Sequence, residues 1–254
     1  MSTYIGFLYK EIIEGLRTKK FLIISVGFIF FALADPVLLK LTPEILKSQA
    51  KGMDFSKWID ISQKAAILKF TDDLYQIVSL IIVLTLVGII SSEIKNKTFV
   101  FPFSVGSKIN GIVLSKFTVY SIFIIVLTQI SIYINFVYSK LIFEDSNFYF
   151  LHVVRIGIFY GVFFVFLVSL IILFSSFLKN SIVSALCVLG IVYIMPILNN
   201  FSDIGKYLPG NVLSIAKKYN NSISKTDIIS LTIIFVLIII FNYVAYRNLS
   251  DVEL

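Results

Sequence analysis

The side chains able to do chemistry are few and far apart. The 254 residues hold one histidine, His152, and one cysteine, Cys187. That is too few for a His/Cys metal centre, a His-based triad or an internal disulfide. Asp72 and Asp73 are adjacent, but neighbours on a helix point apart and do not form an acid–base pair. Gly205-Lys206 is followed by Tyr207, and Asn200 stands where the first glycine of a phosphate-binding loop belongs. The sequence therefore predicts no catalytic residue, no metal site and no cofactor site in this chain.

What remains is polarity in unusual places. Asp35 beside Pro36, Gln129, Asn135 and Asn242 all interrupt long apolar runs. In a bilayer such residues are expensive and are default candidates for a substrate pathway. Hydrogen bonding between helices accounts for the three amides equally well. Asp35 reads as lying near the outer end of its run, where reaching the interface lowers its cost. A second concentration of polarity is the segment from Glu93 to Lys116. It carries Lys95, Lys97, Lys108 and Lys116, interleaved with Phe99, Phe101 and Phe103. The terminal charges can snorkel to an interface. The three rings suit either a partner's groove or the membrane leaflet.

The elements that must position these residues follow from composition. The chain is 58% hydrophobic and 15% charged, with a mean hydropathy of +0.94. A soluble domain carries roughly 45–50% apolar and about 25% charged residues, so a water-soluble fold is excluded. Six runs read as spanning helices: Phe21–Leu39, Leu74–Ile90, Phe117–Tyr138, Ile156–Leu178, Ile182–Leu198 and Ile228–Tyr246. Each is 17 to 23 residues long, against about 20 needed to cross the hydrocarbon layer as a helix. The expectation is an all-α polytopic membrane protein: one six-helix domain over residues 21–254, preceded by a separate element at 1–20. Its +7 net charge belongs to the interfaces, and nucleic acid is not an expected partner.

Topology rests on local charge. With the N-terminus inside, the inner segments hold 10 Lys/Arg and the outer ones 12, so totals do not decide. Arg17, Lys19 and Lys20 abut the first span, which favours N-in and, with six spans, C-in. Ala32-Leu33-Ala34 resembles a signal-peptidase site. Glu11 and Glu14 upstream, and the apolar residues continuing to Leu39, predict a retained span instead. Within 4–20, Ile5, Leu8, Tyr9, Ile12 and Leu16 share one helical face opposite Lys10, Glu14 and Arg17. Such a helix lies along the inner membrane surface or packs on its own bundle.

The segment between spans two and three resembles the signature of ABC-2-type transporter permeases. In that family a Glu ends the second helix, Gly-Thr follows, a Gly-hydroxyl-basic turn comes next, and Ile-Leu-x-Lys opens the third helix. Glu93 and Thr98 match the Glu-x4-Thr spacing. Gly106-Ser107-Lys108 resembles the turn, and Val113-Leu114-Ser115-Lys116 the closing motif. Lys97 departs from the pattern, standing where the family has glycine. The resemblance implies the membrane half of an ATP-driven transporter. A separate ATPase subunit would bind ATP and Mg, and a second permease copy or homologue would complete the assembly. The loop 91–116 would be the coupling element, with Glu93, Thr98, Phe99, Phe101, Phe103, Ser107, Lys108 and Lys116 as its site residues. The family's cargoes include amphipathic peptides, antibiotics and lipid-like molecules, and its place is the plasma membrane. Lys outnumbers Arg 19 to 3, a bias of AT-rich bacterial genomes. The competing expectations are an ion-coupled secondary transporter and a non-transporting membrane sensor or immunity protein. Charge-poor span centres count against the first.

Overall fold

The structure is a computed structural model describing residues 3–49, 60–98, 102, 104, 106–143, 148–199, 205–218 and 224–250. Among the described residues every regular element is helical. Six helices are long and apolar enough to cross a membrane: Lys20–Lys47, Gln63–Lys95, Ile109–Ile142, Phe150–Phe177, Ser181–Leu198 and Lys225–Ser250. They are called spans one to six below. Their Ile, Val and Phe content favours strands in water. In hydrocarbon, a helix alone satisfies every backbone group within its own segment, and that requirement wins.

The first span's helix runs Lys20–Gln49, through Pro36 and Pro43, well past the Leu39 limit expected from hydropathy. The second span starts at Gln63, where Ser62 caps its N-terminus by accepting from the Ala65 N–H at 3.2 Å. Most of what hydropathy leaves as a loop between residues 40 and 73 is therefore helix extending beyond the most apolar stretch. Asp35 lies mid-helix and not near an end.

Span four is the most enclosed, and its Tyr160, Phe163 and Phe164 are fully buried. Its Gly157-x3-Gly161 pair makes a notch for span three. A Cβ at 157 would come within 2.4 Å of the Gln129 Oε1, and one at 161 within 3.6 Å of Ile125. Lipid supplies no hydrophobic force between helices, so such close small-residue packing carries much of the association. Phe28 of span one meets Phe164 edge-on, with centroids 5.7 Å apart. Spans five and six are peripheral and expose Leu186, Ile194, Phe235 and Ile239.

The N-terminal helix, Thr3–Arg17, lies at the end of the bundle where span two finishes and span three begins. The short helix Asn211–Lys217 lies at the far end.

Candidate functional site

The N-terminal helix packs on span three closely enough that a Cβ at Gly111 would come within 3.0 Å of the Tyr4 backbone nitrogen. The Tyr4 hydroxyl donates to Thr118 Oγ1 at 3.2 Å. Helical spacing turns Glu11 and Gly15 inward, both buried, and leaves Ile5, Tyr9, Ile12 and Leu16 exposed. The two expectations for this segment thus combine. The helix docks on its own bundle through a polar residue, and its apolar face is left uncovered by the described residues.

Glu11 is the centre of an ionic cluster. It is 0% exposed, as is Lys116, and Lys116 Nζ donates to it at 2.6 Å. Lys116 is also 2.9 Å from a Glu93 carboxylate oxygen, and Lys10 bonds the other oxygen of Glu93. Lys10 lies 3.4 Å from both Glu11 and Glu14, while Lys20 pairs with Glu14 at 2.9 Å. The Tyr120 hydroxyl closes the cluster, donating to Glu11 at 3.4 Å. Glu11, Glu14 and Glu93 bring carboxylate oxygens within 4.8 Å of one another, a spacing compatible with a metal ion. Three lysine ammoniums already supply the matching charge. Burial works against the ammonium of Lys10, but the Glu93, Glu11 and Glu14 carboxylates outweigh it and raise its pKa. Burial likewise opposes ionised Glu14, yet the Lys20 hydrogen bond and charge hold its pKa below the ordinary value.

Glu93 and Lys116 therefore do not snorkel, as the sequence suggested. They are buried and paired with each other, because two opposite charges removed from water are tolerable only when each meets the other. Glu11 and Tyr120 were not singled out by sequence reasoning. The available signal was that Glu11 shares a helical stripe with Phe7 and Gly15, four residues to either side.

The loop's entrance has a defined geometry. Span two ends in a Schellman cap: the Thr98 N–H bonds the Glu93 carbonyl at 3.0 Å and the Lys97 N–H bonds that of Ile94 at 3.1 Å. Thr98 Oγ1 also donates to the Glu93 carbonyl, at 3.1 Å. This explains the Glu-x4-Thr spacing physically, since the two residues sit at the two ends of the cap's long bond. Lys97 takes the left-handed backbone, φ 55°, that glycine adopts without strain. At the loop's exit the Ser107 N–H bonds the Pro102 carbonyl at 2.9 Å. The Lys108 N–H reaches Thr3 Oγ1 at 3.4 Å, joining the turn to the N-terminal helix. Phe99, Phe101 and Phe103 lie outside the described residues.

No protein-family model matches the chain, and neither does the sequence of any curated protein. The functional argument therefore rests on geometry.

The other candidate residues are not gathered at this cluster. Gln129 Nε2 donates to the Val154 carbonyl at 3.5 Å, and Asn242 Nδ2 to Ser169 Oγ at 3.1 Å. Asn135 Nδ2 donates to the Ala32 carbonyl at 2.9 Å, the group that loses its helical partner to Pro36. Each amide thus joins its span to a neighbouring one. Asp35 is 0% exposed and lies against the carboxyl of Asp73, within side-chain hydrogen-bonding reach, with Lys69 as its other charged neighbour. The expectation that Asp35 reaches an interface fails because the side chain is fully buried against these neighbours.

The cluster is three carboxylates neutralised by three ammoniums. It fastens three segments distant in sequence, the N-terminal helix, the end of span two and the start of span three, into one block.

Proposed function

We propose that this chain is the permease subunit of an ATP-driven transporter of the ABC-2 type. A separate ATPase, binding ATP and Mg, acts on the loop 91–116. The observation that supports this reading is the buried Glu93–Lys116–Glu11 contact. Both ends of the loop are fixed to the N-terminal helix, which in turn leads directly into span one. A force on the loop is therefore delivered to spans one, two and three together. In this reading Phe99, Phe101 and Phe103 are the contacts offered to the ATPase. Two permeases pair in a bacterial plasma membrane, and the cargo is an amphipathic peptide, antibiotic or lipid-like molecule.

The test is co-purification of the chain from its native membrane with an ABC-type ATPase, in mild detergent. Phe101→Ala is expected to lower ATPase recovery at least about tenfold, equivalent to ~1.4 kcal/mol, while leaving the permease folded. Unchanged recovery and transport would overturn the assignment. Asp35 favours a second reading, an ion-coupled transporter, because it is a buried carboxyl inside a span with a second carboxyl, Asp73, beside it. Transport abolished by an uncoupler, but indifferent to loss of the ATPase, would establish that reading instead.

A further inference from the structure

At the far end of the bundle two helix irregularities face each other. Span two contains a π-helical turn, Leu74–Val78, and span five contains Pro196. Pro196 removes the helical partner of the Val192 carbonyl, and the Tyr75 hydroxyl donates to that carbonyl. Reciprocally, the Tyr193 hydroxyl donates to the Gln76 carbonyl inside the π turn at 2.6 Å. The two spans are laced together but held apart, and the space between them is open.

That space has two adjoining parts. One is a cavity of about 260 Å³ with Asp72, Ser214 and Lys217 at its rim and Tyr160 in its wall. The other, about 450 Å³, runs past Ile77, Leu80 and Tyr193. They share Tyr75, Gln76 and Pro196. From Asp72 to Leu80 the helix descends about 12 Å at 1.5 Å per residue. The pair therefore grades from a charged rim to an apolar trough facing outward, where Ile77 and Tyr193 are 37% and 38% exposed.

Tyr160 is 0% exposed, with its hydroxyl beside the Thr71 side chain, and closes the inner wall. One further feature points to an occupant. At the rim Lys217 and Asp72 form an ion pair whose side chains are 32% and 54% exposed. Such surface pairs contribute little and open at small cost. Opened, they present one cation and one anion site above an apolar trough.

We propose that this double cavity binds a zwitterionic lipid. The anionic phosphate of the headgroup meets Lys217 and its ammonium meets Asp72. One acyl chain lies along Ile77, Leu80 and Tyr193. The inference stands apart from the proposed ATPase coupling, because it concerns the opposite end of the bundle and needs no partner.

The test is native mass spectrometry of the purified chain in maltoside detergent. The probes are lyso-phosphatidylethanolamine, lyso-phosphatidylglycerol and chain-free phosphoethanolamine. The zwitterionic lyso-lipid is expected to bind at one saturable site. The phosphatidylglycerol probe, lacking the ammonium, should bind about tenfold more weakly, and phosphoethanolamine, lacking the chain, should not bind detectably. Ser214→Trp fills the rim from an exposed position and should abolish binding. Equal binding of the two lyso-lipids overturns the headgroup assignment, and binding of phosphoethanolamine alone overturns the role of the trough. Binding unaffected in Ser214→Trp places the lipid elsewhere and overturns the proposal. If a variant unfolds, the probe comparison on the wild-type chain still decides it.

Discussion

At the end carrying the N-terminal helix, three carboxylates meet three ammoniums in one cluster. Towards the middle and far end, the buried polarity of Asp35, Asn135 and Tyr160 meets a second carboxyl, a backbone carbonyl and a hydroxyl. Glu11 and Asp35 are equally buried, yet Glu11 receives Lys116 and Tyr120 while Asp35 faces the like group of Asp73. The difference separates two uses of a polar group in a membrane bundle. Matched charges fix the position of segments that would otherwise slide. Single polar groups either repair a broken helix or are left for something that binds or moves.

The largest expected effect tests the matched cluster. Lys116→Met leaves Glu11 and Glu93 buried with only the more exposed Lys10 as a shared cation. It should cost about 3–5 kcal/mol in detergent unfolding experiments. Replacing all three together, with Glu11→Gln and Glu93→Gln added, should recover most of that loss. Asp35→Asn, by contrast, should cost at most about 1 kcal/mol, since it removes no paired charge and keeps a hydrogen-bonding group beside Asp73. If Asp35→Asn destabilised as strongly as Lys116→Met, the two regions would not differ in the way described.

A smaller effect tests the repair role of Asn135. Asn135→Ala strands the Ala32 carbonyl and should cost about 1 kcal/mol, within the range of hydrogen bonds between membrane helices. In a Pro36→Ala background the carbonyl regains its helical partner, and the same change should cost almost nothing. A double-mutant cycle with no coupling energy would remove Asn135 from this role.

The smallest effect concerns the cap at the loop's entrance. Lys97 holds a left-handed backbone at φ 55°, which costs a side-chain-bearing residue about 1 kcal/mol relative to glycine. Lys97→Gly should therefore raise stability by about that amount, read as an upward shift in the thermal midpoint. A loss of stability would mean that the lysine side chain contributes more than the backbone strain it imposes.

The sequence by itself determined the solvent, the number of spans and the entrance of the loop. Hydropathy is a sum over consecutive residues, so six apolar runs are visible without any tertiary information. The Glu93–Thr98 spacing is likewise local, because a helix cap involves only residues a few positions apart. The extension of span one to Gln49 and the start of span two at Gln63 were harder to see, since those turns are held by neighbours and are less apolar than the span centres. Only the tertiary structure decided that Glu11, Glu93 and Lys116 meet, that Asn135 repairs Pro36, and that Tyr75 and Tyr193 lace the π turn to Pro196. The physical reason is the same in each case. A charge or an amide in a helix states what partner it needs, but which partner reaches it depends on the packing of helices far apart in the chain.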